Sequence, residues 1–262
     1  MVLFYADVLG VKARWKTGRI DLVRSAYAEF EDLIRAALSE SPPDEGVVGG
    51  VQSDAAALLF DAVPDAVRVG MSVFRSAFER AAADERLWIR GLIMPVEQDH
   101  GALIAETSLG AAWPEVGVRH FSPELLNAVN VEQAFKGPRL LVDQTLVDEQ
   151  LREGFRIGAG ERYVVPFREL EYAPLPTVGG RWCDVLYLLP NPLQQDRLTA
   201  RSIEMSQRVR WAASEAHGGS PEELAQVSAL AVVWAECEAI AWSVGLRAGL
   251  FDRRDPAPNE SK

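Results

Sequence analysis

Two aspartates stand where apolar residues are expected. Asp7 interrupts the run VLFYADVL at residues 2–9, and Asp54 immediately precedes AAALLF at residues 55–60. An ionised carboxylate is costly to bury unless it is paired or binds a cation. Two of them at matching points on neighbouring strands would repel each other. A divalent cation held by oxygen ligands, Mg²⁺ or Mn²⁺, relieves that repulsion. The competing reading is structural: each Asp sits at a strand end and caps a turn or pairs with an arginine. The segment after Asp7 adds a second kind of chemistry. Gly10, Lys12, Arg14, Lys16 and Arg19 follow with no acidic residue among them. Gly10 lets the backbone turn so that N–H groups can approach an anion, and the helix start beyond it is a favourable place for phosphate. A solvated basic loop is the plain alternative for any one of these residues. The combination of a buried Asp, a Gly, a basic loop and a helix start is what points to an anion site.

Other motifs carry less. GFRIGAGERY contains Gly-x-Gly, but Tyr163 stands where a dinucleotide loop needs its third glycine. No Gly-x-Ser-x-Gly or His-Glu-x-x-His occurs. His100, His120 and His217 are scattered, and Cys183 has no histidine near it in sequence.

The elements that must position Asp7 and Asp54 follow from periodicity. Residues 2–9 predict a buried strand. Ile20, Val23, Tyr27, Phe30, Ile34 and Ala37 form the stripe of an amphipathic helix, ended by SESPPDEG. VVGGVQSDAAALLF predicts a hairpin around Gly49–Gly50 and residues 52–54. Val67, Met71, Phe74, Phe78 and Ala81 predict a second helix, and LWIRGLIMPV another strand. Residues 121–135 predict a helix and PRLLVD a short strand. This β-α-β-β-α-β-α-β order predicts an α/β (α+β) sandwich of the ferredoxin-like kind. Beyond it, strands are expected at residues 162–171 and 185–189, then two long helices at about residues 194–217 and 221–248. The second helix has Ser220, Pro221 and Glu223 as its start signal. The tail DRRDPAPNESK reads as disordered.

The 262 residues are 48% hydrophobic and 25% charged, ordinary for a soluble globular protein, and no apolar run is long enough to span a membrane. The first residues are not those of a signal peptide, because the charges follow the apolar run instead of preceding it. Two cysteines, Cys183 and Cys237, are too few for a disulfide framework, and a cytoplasmic location is expected. A formal net charge of -11 argues against a general nucleic-acid or membrane-surface binder.

In these residues the chain resembles the class III nucleotidyl cyclases. FYADVLGVK resembles their first strand, with the first metal ligand. VQSDAAALLF resembles their hairpin, with the second. RLWIRGLIMPVE and ELLNAVNVEQAFKGPRLLVD resemble the strand, helix and strand that follow. The Ser-Asp pair, the Arg-Gly of IRGLI and the run from Ala128 through Glu132 to PRLLVD look most like the bacterial pyrimidine cyclases of the Pycsar anti-phage systems. The resemblance covers about residues 2–145.

It implies a cyclase homology domain at residues 1–145 that works as a homodimer with its active sites at the subunit interface. Additional C-terminal strands and helices at 146–250 would pack on the core or the dimer interface, before a disordered tail at 251–262. Asp7 and Asp54, with the Val8 main-chain carbonyl, would bind two Mn²⁺ or Mg²⁺ ions, and main-chain N–H groups at Gly10, Val11 and Lys12 would hold the β- and γ-phosphates. The substrate would be a nucleoside triphosphate, UTP or CTP in the Pycsar case. The cyclic product would act on a separate effector protein in anti-phage defence. The resemblance also admits an ATP or GTP cyclase, or a degenerate nucleotide-binding regulator. Many family members carry an Asn and an Arg, four residues apart, that stabilise the transition state. Leu126 and Asn130 fall there in this chain, with Asn127 nearby, while Arg14, Arg90, Lys136 and Arg139 are other candidates for that charge. The lysine that reads adenine in many adenylyl cyclases falls near Gly50, and Pro95 stands where the family often has glycine.

Overall fold

The structure is a computed structural model that describes residues 1–9, 11–16, 18, 20–44, 46–52, 54–81, 87–97, 123–135, 137–159, 162–170, 180–189, 235–237 and 239. The first strand, β1 (Val2–Val8), is followed by a short helix α1 (Val11–Lys16) and a long one, α2 (Ile20–Glu40). The hairpin β2 (Val47–Gln52) and β3 (Ala55–Phe60) leads to α3 (Val63–Ala81) and β4 (Ile89–Pro95). Then come α4 (Pro123–Ala134), β5 (Leu140–Asp143) and α5 (Glu149–Gly154). The last strands are β6 (Ile157–Ala159), β7 (Arg162–Val164), β8 (Phe167–Glu169) and β9 (Trp182–Val185).

Seven strands form one sheet in the order β2-β3-β1-β4-β5-β9-β8. β1 lies between β3 and β4 and is antiparallel to both. The order β2-β3-β1-β4, with α2 and α3 as crossovers, is the ferredoxin-like arrangement that the alternation of elements predicts. β5 adds in parallel to β4, as a connection through α4 requires.

Strand alternation sorts the side chains onto two faces. Phe4, Ala6, Leu58, Phe60, Ile93 and Val142 share a core with Phe30, Leu33 and Ile34 of α2 and Val67 and Phe74 of α3. Leu3, Tyr5, Leu59, Leu92, Met94 and Leu141 face the other way, against Ala128 and Val131 of α4 and Phe135 just beyond it. Asp7 follows Tyr5 on this second face.

Several expectations are corrected. The basic segment after Asp7 is not a loop throughout, since residues 11–16 are helical. The hairpin turns at Asp54, within the expected residues 52–54, but the two glycines lie inside β2. Gly49 has φ +143°, and a Cβ there would stand 2.1 Å from the Ala57 carbonyl oxygen. The strand expected at residues 162–171 is two strands in different sheets, because β7 pairs with β6 and β8 with β9. The strand expected at 185–189 is β9, which ends at Val185. Beyond it the apolar run turns, and the Arg75 guanidinium donates to the carbonyls of Tyr187 and Leu189 at 3.1 and 3.2 Å. α5 carries no apolar periodicity to announce it, and its N-cap is Asp148, whose carboxylate accepts from Leu151 N–H at 2.7 Å. The two long C-terminal helices fall largely outside the described residues, of which 235–237 are helical. Among the described residues no helix is long and apolar enough to cross a membrane.

Candidate functional site

β1 needs no side-chain partner to be central, because its run of buried apolar residues is covered on both faces. That position puts Asp7 in cross-strand register with Ala55 of β3 and Arg90 of β4. Gly91 makes the close approach possible. A Cβ at Gly91 would lie 2.5 Å from the Tyr5 carbonyl oxygen and 3.0 Å from the Ala6 Cβ. On the other side, Asp54 occupies the turn just before Ala55, and its carbonyl accepts the Val8 N–H at 2.7 Å. Sequence-distant Asp7, Val8, Asp54 and Arg90 are thereby gathered at one end of three adjacent strands.

The electrostatics follow from that placement. The Asp7 side chain is 19% exposed. Burial, and then the negative charge of Asp54, push its carboxyl up to about 7, against the opposing pull of Arg90. Burial and the charges of Asp7 and Asp54 also hold the Tyr5 hydroxyl above its usual range. An Arg90 terminal nitrogen lies 3.8 Å from Asp7 Oδ2, an electrostatic contact longer than a hydrogen bond. Arg90 is ion-paired through Nε to Glu132 of α4 and donates to the Phe135 carbonyl at 3.3 Å.

Glu132 is the residue that sequence reasoning passes over. It is 4% exposed. The signal was its place among Ala128 and Val131 on α4 and Phe135 just past its end, an apolar stripe where a glutamate has no reason to be unless a cation meets it.

The other predicted residues are dispersed. Val11 is buried at the start of α1, and the side chains of Lys12 and Arg14 lie outside the described residues, as do Gly10, Lys136 and the three histidines. On α4, Leu126 is 53% exposed, Asn130 is exposed and Asn127 is half-buried. Arg139 sits one strand beyond Arg90, where its Nε lies 3.6 Å from Asp184 Oδ2. Cys183 is fully buried, and burial pushes its thiol up to about 11, which leaves it a protonated and poor nucleophile.

The residues fit a divalent cation in kind. Two carboxylates and a main-chain carbonyl are hard oxygen donors, and the ionisation of Asp7 is opposed by burial and by Asp54, both of which a bound cation would offset. Among the described residues no group of three or more His, Cys, Asp or Glu is arranged to hold a metal. The remaining coordination positions would therefore fall to water or to a ligand's own oxygens, which is how Mg²⁺ is commonly bound beside phosphates.

No protein-family model matches the chain, and no curated protein does. Several solved structures are similar to it at low identity. An adenylate cyclase from Trypanosoma brucei in its monomeric state is 12% identical over 71% of this chain and 89% of that one, with a TM-score of 0.46. The guanylyl cyclase Cya2 is 12% identical over 71% and 90%, with a TM-score of 0.43. The catalytic core of a rhodopsin-guanylyl cyclase with converted specificity, in complex with ATPalphaS, is 13% identical over 70% and 94%, with a TM-score of 0.45.

Proposed function

We propose that this chain is a metal-dependent nucleotidyl cyclase that converts a pyrimidine nucleoside triphosphate, UTP or CTP, to its 3′,5′-cyclic monophosphate and pyrophosphate. The observation that carries the reading is the placement of Asp7 and Asp54 at the same end of two neighbouring strands in a ferredoxin-like sheet, with Asp7 held near the edge of ionisation. Asp7, Asp54 and the Val8 carbonyl would hold two Mn²⁺ or Mg²⁺ ions. When bound, these would supply Lewis acidity that lowers the pKa of the ribose 3′-hydroxyl and neutralises phosphate charge.

The chain's own residues do the rest. The main chain at Gly10, Val11 and Lys12 holds the β- and γ-phosphates. Arg90 supplies positive charge beside Asp7, where negative charge accumulates on the α-phosphoryl group. The 3′-oxygen forms a bond to the α-phosphorus and the bond to the β-phosphate oxygen breaks. The hydroxyl proton passes to water and pyrophosphate leaves. The site lies at the interface of a homodimer, and the cyclic nucleotide signals to a separate effector in anti-phage defence.

A second reading, a degenerate cyclase-like regulator that binds nucleotide without turning it over, is favoured by Leu126 and Asn130 in the helix positions and by the Arg90 contact with Asp7.

Incubating the purified protein with Mn²⁺ and each of the four nucleoside triphosphates decides between them. Cyclic UMP or CMP, lost in Asp7→Ala and in Asp54→Ala, is the expected result. Cyclic AMP or GMP would replace the pyrimidine assignment, and binding without turnover would leave the regulator.

A further inference from the structure

The cyclase reading leaves one residue beside the site without a role: Glu132, the buried partner of Arg90. From the structure we infer that Glu132 is a positioning residue that anchors the Arg90 guanidinium against α4, so that Arg90 meets substrate phosphate instead of closing onto Asp7. The inference rests on the reading of Asp7 and Asp54 as the metal-binding carboxylates.

Three observations converge on it. First, Arg90 has competing acidic neighbours. It is in register with Asp7 on the same sheet face, yet it stands 3.8 Å from that carboxylate, while Nε is ion-paired to Glu132. Second, the turn just past the end of α4 holds the guanidinium from a second direction, through the Phe135 carbonyl. A guanidinium carries five donors in a rigid planar fork, so one contact on α4 and one just beyond its end fix the direction of the rest. Third, Glu132 is a carboxylate on an otherwise apolar helix face, at 4% exposure. A mere stabilising role would be served as well by an apolar residue of similar volume, since buried ion pairs are often no better than hydrophobic replacements.

The chemistry gives the arrangement a purpose. A guanidinium free to settle on Asp7 would form a bidentate pair and compete with any cation for its oxygens. Anchored from behind, it leaves Asp7 to a metal while keeping one positive charge beside the place where a phosphoryl group would lie. Glu132 touches neither substrate nor metal in this scheme and acts only through Arg90.

The test uses the full-length protein with Mn²⁺ and inorganic triphosphate, which carries the phosphoryl groups of any nucleoside triphosphate but no base. Mn²⁺ affinity is read by electron paramagnetic resonance and triphosphate affinity by calorimetry, for Glu132→Gln, Arg90→Gln and the double variant. Glu132→Gln is expected to weaken Mn²⁺ binding several-fold, because the released guanidinium closes onto Asp7. Arg90→Gln is expected to tighten it. The double variant is expected to follow Arg90→Gln alone. Triphosphate binding is expected to weaken by about tenfold in both single variants and no further in the double, the non-additivity of groups that act as one unit. A purely structural Glu132 would lower thermal stability without this opposite-signed pattern. Equal losses from Glu132→Gln with and without Arg90 would overturn the inference, as would unchanged Mn²⁺ and triphosphate affinities in a folded Glu132→Gln. If that variant does not fold, the apolar pair Arg90→Met/Glu132→Met takes its place. It must then bind Mn²⁺ more tightly and triphosphate about tenfold more weakly than the wild type, and wild-type triphosphate affinity would overturn the inference. Asp7→Asn separates the two levels. If it binds Mn²⁺ like the wild type, the metal-site reading fails and the inference with it. If it loses Mn²⁺ while Glu132→Gln behaves as wild type, only the inference fails.

Discussion

Asp7 is an ionisable group kept where an uncharged side chain would be more stable. Burial and the Asp54 charge raise its carboxyl to about 7, so without metal the folded state holds a proton that the unfolded chain releases at a much lower pH. The folded form therefore binds more protons across that interval. Its stability falls as pH rises from the ordinary carboxyl range towards 7, and stays at the lower level above it. Asp7→Asn removes this cost, and the metal-free variant is expected to melt a few degrees above the wild type at pH 8. It is also expected to lose the upward shift in melting temperature that Mn²⁺ gives the wild type by binding the folded state alone. A variant that is both less stable and still stabilised by Mn²⁺ would show that Asp7 is a structural residue. Asp7 stands out in the sequence because it breaks an apolar run, and Asp54 because an apolar strand begins directly after it. Glu132 does not, because a glutamate in a helix is ordinarily solvated. Its meaning appears only once α4 is known to press that stripe onto the sheet beside Arg90.

Among the elements, β1 and its two neighbours carry the site, and their alignment depends on one small residue. Gly91 lies between Arg90 and Leu92 on β4, and β1 is confined by β3 on its far side. A methyl group at Gly91 would press on the Tyr5 carbonyl and the Ala6 side chain, and neither strand has room to yield. Gly91→Ala is expected to cost about 1–3 kcal/mol, the range of overpacked core positions. The denaturation midpoint would fall with the slope unchanged. A loss below about 0.5 kcal/mol would mean that β1 and β4 are free to part. The same strands explain why the central fold could be read from sequence and its margin could not. β1, β3 and β4 are apolar over nearly their whole length, and α2 and α3 repeat their apolar residues at helical spacing. At the margin, β6 to β9 have three or four residues each, too few for periodicity to register. Their partners are fixed by contacts that no local pattern contains. Arg75, more than a hundred residues away in sequence, captures the carbonyls that follow β9.

At the scale of the whole molecule, the described residues hold a second buried charge group on the sheet. Beyond the Asp7, Arg90 and Glu132 group, Asp184 of β9 faces Arg139 at the entry to β5 and Arg168 on β8. Arg168 in turn pairs with Glu236 in the helical segment at 235–237. The far edge of the sheet and residues 235–237 are thus joined through alternating charges around one buried carboxylate. Asp184 is 1% exposed. Burial raises its carboxyl to about 6; Arg139 and Arg168 oppose that rise and Glu236 adds to it. Because the folded state keeps this proton to a higher pH than the unfolded chain does, ionising Asp184 costs stability as pH rises through about 4 to 6, and the loss is complete above that window. Asp184→Asn cannot ionise. The unfolding free energy of the wild type is therefore expected to fall by about 2–3 kcal/mol relative to the variant between about pH 4 and pH 6, and the difference to level off above about pH 7. Urea denaturation at a series of pH values measures it. A difference that rises with pH would show that Arg139 and Arg168 outweigh burial and that the cluster is a net attraction. With the predicted fall, the ordering of charges around Asp184 fixes where residues 235–237 meet β8, at a cost in stability at neutral pH.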